Sequence, residues 1–145
     1  MIETKEAGAA GVLGIICQVS GKATPVMTSF AASMGLDAPT EVVNVTELDF
    51  LMEQQVPMIA INCGVGLSVA IPGVAASVAA GVLGSLPIGC PGVVGVRDME
   101  QARQAHLDGA SAVLIKAEML AATCDDAARC TALVDDLKYV VSGDD

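Results

Sequence analysis

TEVVNVTELDFLMEQQVPMIAIN, residues 40–62, reads as strand, helix and strand in immediate succession. Pro39–Val43 (PTEVV) and Pro57–Asn62 (PMIAIN) are short apolar runs of strand length. Between them Thr46–Gln54 places Leu48, Phe50, Leu51 and Met52 among Glu47, Asp49 and Glu53, as expected of a helix, and Thr46 with Asp49 suggests a weak capping box. A helix between two strands is too long a connection for a hairpin, so the two strands are expected to lie parallel through a crossover.

The same alternation extends in both directions. Upstream, residues 2–10 resemble the end of a helix, Gly11–Cys17 (GVLGIIC) is a buried strand, and Pro25–Met34 is a helix stopped by Gly35. Downstream come a helix over Pro72–Leu83, a strand at Leu86–Cys90 (LPIGC), a turn at Pro91-Gly92 and a helix over Arg97–Leu107 that Gly109 ends. A last strand at Ala112–Lys116 and a helix over Asp125–Tyr139 complete the series. The expected fold class is α/β: about five parallel βα repeats, equivalent to the second half of an eight-stranded (β/α)8 barrel and so an incomplete or open one. Residues 1–145 are expected to form a single domain with an acidic C-terminal tail, because a whole barrel takes about 250 residues.

Composition narrows the classes of partner. Apolar residues make up 53% of the chain and aromatics 2%, so Ala, Val, Leu and Gly fill the interior and no aromatic platform exists for stacking bases. The formal charge of -10 disfavours nucleic acid and anionic membrane surfaces. Five dispersed cysteines with no CxxC pair fit reduced thiols at or near the core, neither a disulfide framework nor a metal site. No cofactor is expected. The first eleven residues lack the layout of a signal peptide, which points to an intracellular compartment, with a chloroplast or another organelle as the specific expectation.

No charged residue occurs from Gln54 through Val96, nor from Ala23 through Leu36. Two expected helices, 25–34 and 72–83, therefore lack the charged stripe that an outer helix turns to water. Ala and Gly tolerate exposure, so a weakly polar surface is one reading and a covering partner another. A membrane span over Val65–Leu83 is a third, although Pro72 interrupts it and no basic or aromatic flank marks its ends.

In parallel barrels reacting groups sit at the C-terminal ends of strands. Those positions hold Cys17 and Gln18, Glu41 (inside its strand), Asn62, Cys90 and Lys116. A carboxylate inside an apolar strand, such as Glu41, must face a partner, a loop or a lumen. Asn62 suits either a ligand or the Gly64–Gly66 loop, Lys116 a phosphate or a snorkelling rim position, and His106 a solvated helix face.

AGAAGVLGIICQVS, TEVVNVTELDFLMEQQVPMIAIN and GCPGVVGVRDMEQARQAHLDGASAVLIKAEML together resemble the C-terminal five βα units of the indole-3-glycerol-phosphate synthase family, a TIM barrel, over residues 7–138. The resemblance implies that Glu41 matches an active-site carboxylate and Asn62 the asparagine of an INNR motif. It also implies that Gly92 is the retained glycine of an ESG phosphate-binding turn, and that Lys116-Ala117 replaces a second phosphate-binding pair. The family's arginine falls at Gly64, and its ESG glutamate and serine at Cys90 and Pro91. The strands bearing the family's catalytic lysine have no counterpart. If active, Glu41 and Asn62 would be catalytic, with Gly92 and Lys116 on phosphate.

The expected function is a non-catalytic structural or interaction subunit of a larger assembly, derived from a TIM-barrel enzyme, with an organellar or photosynthetic complex as the specific expectation. The alternatives are an indole-3-glycerol-phosphate synthase-like lyase and a sugar-phosphate-binding module. The expected partners are other protein subunits, docked over helices 25–34 and 72–83 and the open sheet edges. A membrane protein complex is one such partner.

Overall fold

A computed structural model describes residues 1–15, 23–54, 56–62, 74–115, 120–121 and 127–142. The elements are α1 (Ile2–Glu6), β1 (Gly14–Ile15), α2 (Thr24–Ser33), β2 (Thr40–Val42), α3 (Val45–Met52), β3 (Ile59–Ile61), α4 (Val74–Gly84), β4 (Gly92–Val96), α5 (Met99–Leu107), β5 (Ala112–Ile115) and α6 (Ala127–Ser142). The five strands form one sheet in the order β1-β2-β3-β4-β5, and every pairing is parallel. This is the α/β architecture of a partial TIM-type barrel. Among the described residues β1 and β5 each have one neighbour, so the sheet is open.

Register explains the core. Val42, Ile61, Val94 and Val113 are partners across four strands. Side chains alternate along a strand, so this row shares a face with Ile59, Val96 and Ile115. Those strand residues pack with Leu48 and Leu51 of α3, Ala79, Val82 and Leu83 of α4, Ala102 and Ala105 of α5, and Leu133 and Leu137 of α6. The other row is Ile15, Glu41, Ala60, Val93 and Ala112. In β4 the alternation is visible residue by residue: Gly92, Val94 and Val96 are buried, Val93 and Gly95 half-buried.

The fourth strand lies later than the sequence suggests. Leu86–Cys90 is a turn, closed by the Cys90 N–H donating to the Pro87 carbonyl at 3.0 Å and by Gly89 at φ +85°. Ile88 is fully exposed there. LPIGC is apolar, but its proline removes a ladder donor and its glycine occupies left-handed space; both are strand breakers. GVVGV pairs instead, on β3 and β5. Cys90 therefore precedes its strand, half-buried, with its thiol pKa raised by burial; it and Cys130 are free thiols.

Two helix starts also differ from expectation. α3 begins at Asn44, not Thr46: Asn44 Oδ1 accepts from the Glu47 N–H at 2.8 Å, and Glu47 Oε2 accepts from the Val43 N–H at 2.9 Å. α5 repeats the device, with Asp98 Oδ1 on the Gln101 N–H at 2.8 Å and Gln101 Oε1 on the Arg97 N–H at 3.0 Å. Each is a reciprocal cap that satisfies two orphan donors.

α4 is not buried all round by its own chain. Ala79, Val82 and Leu83 face the core, whereas Ala76, Ser77, Ala80, Gly81 and Gly84 are exposed. α2 likewise exposes Val26 and Phe30. No helix among the described residues is long and apolar enough to cross a membrane. Residues 65–73 of the considered span lie outside the described residues.

Asn44→Ala and Asp98→Ala should each lower stability by about 1 kcal/mol, read as a fall in melting temperature, while Thr46→Ala leaves it nearly unchanged. A Cβ at Gly81 would meet Val45 Cγ2 at an ordinary 3.9 Å. Gly81→Ala should therefore stabilise the chain by about 0.5–1 kcal/mol in the same assay.

Candidate functional site

Connections after the strands differ in length. β2 passes to α3 through Val43-Asn44, and β4 to α5 through Arg97-Asp98, both tied down by the reciprocal caps. The C-terminal end of the sheet thus carries two short, fixed turns among the described residues. It is the end at which barrel folds carry ligand sites.

Glu41 and Asn62 meet there. Glu41 lies in β2 on the face opposite the helix-packed core and is only 8% exposed. Asn62 follows β3, and its N–H donates to the Val42 carbonyl at 3.0 Å, which prolongs the β2–β3 ladder by one residue. Its Nδ2 then donates to Glu41 Oε1 at 3.0 Å. Strand alternation places both side chains on the same face of the sheet. A buried carboxylate needs such a donor, since an unpaired polar group costs about 1–3 kcal/mol and a charge more. The pair can act as a hydrogen-bond anchor for a hydroxylated ligand or as a structural tie between two strands; the geometry serves either.

The remaining expected site residues do not join them. Gly92 starts β4, in register with Ile59 at the start of β3, and so lies at the opposite end of the sheet from Asn62. A Cβ there would come within 2.6 Å of Leu83 Cδ2 and 2.7 Å of Leu86 Cδ1. Gly92 is a close-packing glycine under α4, which corrects the expectation of a phosphate-binding turn. Cys90 is displaced from the strand ends for the same reason. Lys116 and Gln18 lie outside the described residues. His106 is half-buried in the last turn of α5.

Arg97 was hidden by the misplaced strand. Assigned to a helix from the sequence, it instead occupies the turn directly after β4, exposed, at the same end of the sheet as Asn62. The signal was present in GVVGVRD: a β-branched run followed by Asp at an N-cap position. Among the described residues no group of three or more His, Cys, Asp or Glu could hold a metal ion.

No family model matches the chain. No curated protein matches it either. Among solved structures it is similar to a thiamine phosphate pyrophosphorylase from Pyrococcus furiosus, with a TM-score of 0.66, 15% identity and coverage of 97% of this chain and 63% of that one. At that identity the likeness shows the fold alone: a TIM-type arrangement, of which this chain spans less than two thirds of the neighbour's length. The resemblance to indole-3-glycerol-phosphate synthase is thereby overturned. Its closing motif placed Gly92 in a turn after a strand, whereas Gly92 begins one. What remains of the match is the small apolar composition common to parallel βα repeats.

Asn62→Ala should destabilise the chain by about 1–3 kcal/mol in urea unfolding, because it strips a donor from a buried carboxylate. Adding Glu41→Gln to that variant should recover part of the loss, as expected for coupled neighbours.

Proposed function

We propose that this chain is a non-catalytic association subunit, built on part of a TIM-type barrel and completed by protein contacts. The observation that carries the reading is the open five-stranded sheet, whose outer strands β1 and β5 each have one neighbour among the described residues. A parallel sheet with two free edges presents unpaired amides and carbonyls, which native proteins usually cover. Exposed apolar side chains lie on or near both edges: Leu114 on β5, Leu13 before β1, and Val26 and Phe30 on the neighbouring α2. The charge-free stretches fit the same role, because a chain of net charge -10 repels acidic surfaces except where it is neutral. The covering partner is a protein surface, apolar at its centre, that meets α2, the exposed small residues of α4 and the sheet edges.

A second reading is favoured by a separate observation, the Glu41–Asn62 pair with Arg97 at the same sheet end. It makes the chain a binding module for a hydroxylated phosphate ester, with Lys116 as a further cation. Titration with glycerol 3-phosphate, followed by amide chemical shifts, separates the two. Saturable shifts at Asn62 and Arg97 that vanish in Arg97→Ala support the module, and unchanged spectra exclude it.

For the association reading, sedimentation velocity on the purified chain should show concentration-dependent association. Phe30→Lys combined with Leu114→Lys should return the chain to a monomer with the same circular dichroism. A parent chain that stays monomeric and soluble over a hundredfold concentration range would contradict the proposal.

A further inference from the structure

α1 has five residues, none of them buried, and its N-cap Met1 makes no side-chain cap bond. A helix that short does not hold in water without outside support. Its backbone bonds stay within the segment: the Lys5 N–H donates to the Met1 carbonyl, that of Ala7 to Glu3 and that of Gly8 to Lys5. Among the described residues one hydrogen bond leads outward. Lys5 Nζ donates to the Gly35 carbonyl at 3.1 Å, just past the end of α2, and both residues are exposed. A cation there also meets the negative pole of α2. Met1 makes the other contact, lining an open groove of about 220 Å³ with Val12, Leu13 and Met27. Thr24 lines the same groove, but its Oγ1 is buried with no hydrogen-bond partner and so fastens nothing there.

The chain changes character after α1. Gly8 sits at φ +85° in open space, within the run Ala7-Gly8-Ala9-Ala10. From Ala10 onward the backbone is fixed. The Ala10 carbonyl accepts from the Asp37 N–H at 3.0 Å, and the Val12 N–H donates to the Asp37 carbonyl at 2.8 Å. A Cβ on Gly11 would stand 2.8 Å from that carbonyl oxygen, so the two segments pass in close contact. A weak latch, a hinge and a firm anchor follow one another along residues 5–12.

We propose that α1 is a displaceable strap that competes with a second copy of the chain for the flank of β1. Latched, α1 lies against α2 beside the outer strand. Released, it swings about Gly8 while Ala10–Val12 stays in place. The competition rests on the association reading: a strand added to β1 brings its own helix to the same face of the sheet, into the space that α1 holds. The Lys5 latch therefore weakens association.

The test uses the full chain and Lys5→Met, which keeps the side-chain length and removes the donor. At dilutions where the chain is monomeric, the amides of Ala7, Gly8 and Ala9 should exchange about two- to fivefold faster than in the parent, while those of Val12 and Asp37 keep the parent rate. Lys5→Arg, which retains a donor, should keep the parent rates throughout. In sedimentation velocity Lys5→Met should associate about two- to fivefold more tightly. Loss of a positive charge from a chain of net charge -10 would by itself act in the opposite direction, so tighter association reports the strap. Unchanged exchange in Lys5→Met, or faster exchange that includes Val12 and Asp37, overturns the strap. Faster strap exchange with unchanged or weaker association overturns the competition. If neither parent nor variant associates at any concentration, the association reading falls and the competition with it, and the exchange rates alone decide the strap.

Discussion

A parallel sheet has two faces and two edges, and each must be covered by something other than water if its side chains are apolar. Here the helices cover one face: Val42, Ile61, Val94 and Val113 stand in register beneath α3, α4, α5 and α6. In a closed barrel the second face is filled by the barrel's own opposite strands and no edge exists. Among the described residues this sheet has five strands, with β1 and β5 at the ends of the ladder and Leu114 exposed. The association reading, the role of the uncharged helices and the sparse chemistry at the strand ends all depend on that incomplete closure.

The two halves of each repeat are treated differently. The turns after β2 and β4 are cut to two residues and locked by reciprocal caps, Asn44 with Glu47 and Asp98 with Gln101. The recurrence of one device at two strand–helix junctions makes these turns rigid supports. Asn62 extends the β2–β3 ladder and holds Glu41, so the one buried carboxylate described is tied to the framework.

Element type was legible wherever period and punctuation agreed. Gly35 and Gly109, at φ +66° and +94°, end the helices that the sequence assigns to them. The alternation places Glu41 and Asn62 on neighbouring strands but does not reveal their hydrogen bond, since the sequence suits Asn62 to a ligand or to the Gly64–Gly66 loop. Legibility failed where hydrophobicity and punctuation conflicted: LPIGC was apolar enough for a strand, but Pro87 and Gly89 outweigh its side chains. That one slip moved Gly92 to the wrong end of the sheet, concealed Arg97 and lent false support to a family resemblance. Thr24 was illegible for another reason. Its burial without a partner is a property of how α2 rests on β1 and β2, and no local pattern encodes it.

Amide hydrogen exchange at the sheet edges tests the open-sheet account most directly. The N–H groups of Val12 and Gly14 donate toward β2, to Asp37 and Pro39, and that of Ser111 donates toward β4, to Gly92. Alternation turns the N–H groups of Leu13, Ala112 and Leu114 outward. At dilutions where the purified chain is monomeric these outward amides should exchange far faster than their inward neighbours, and they should become protected as the chain associates. Slow exchange of the outward amides in a lone monomer would contradict the account, because it would mean that the edges are already covered.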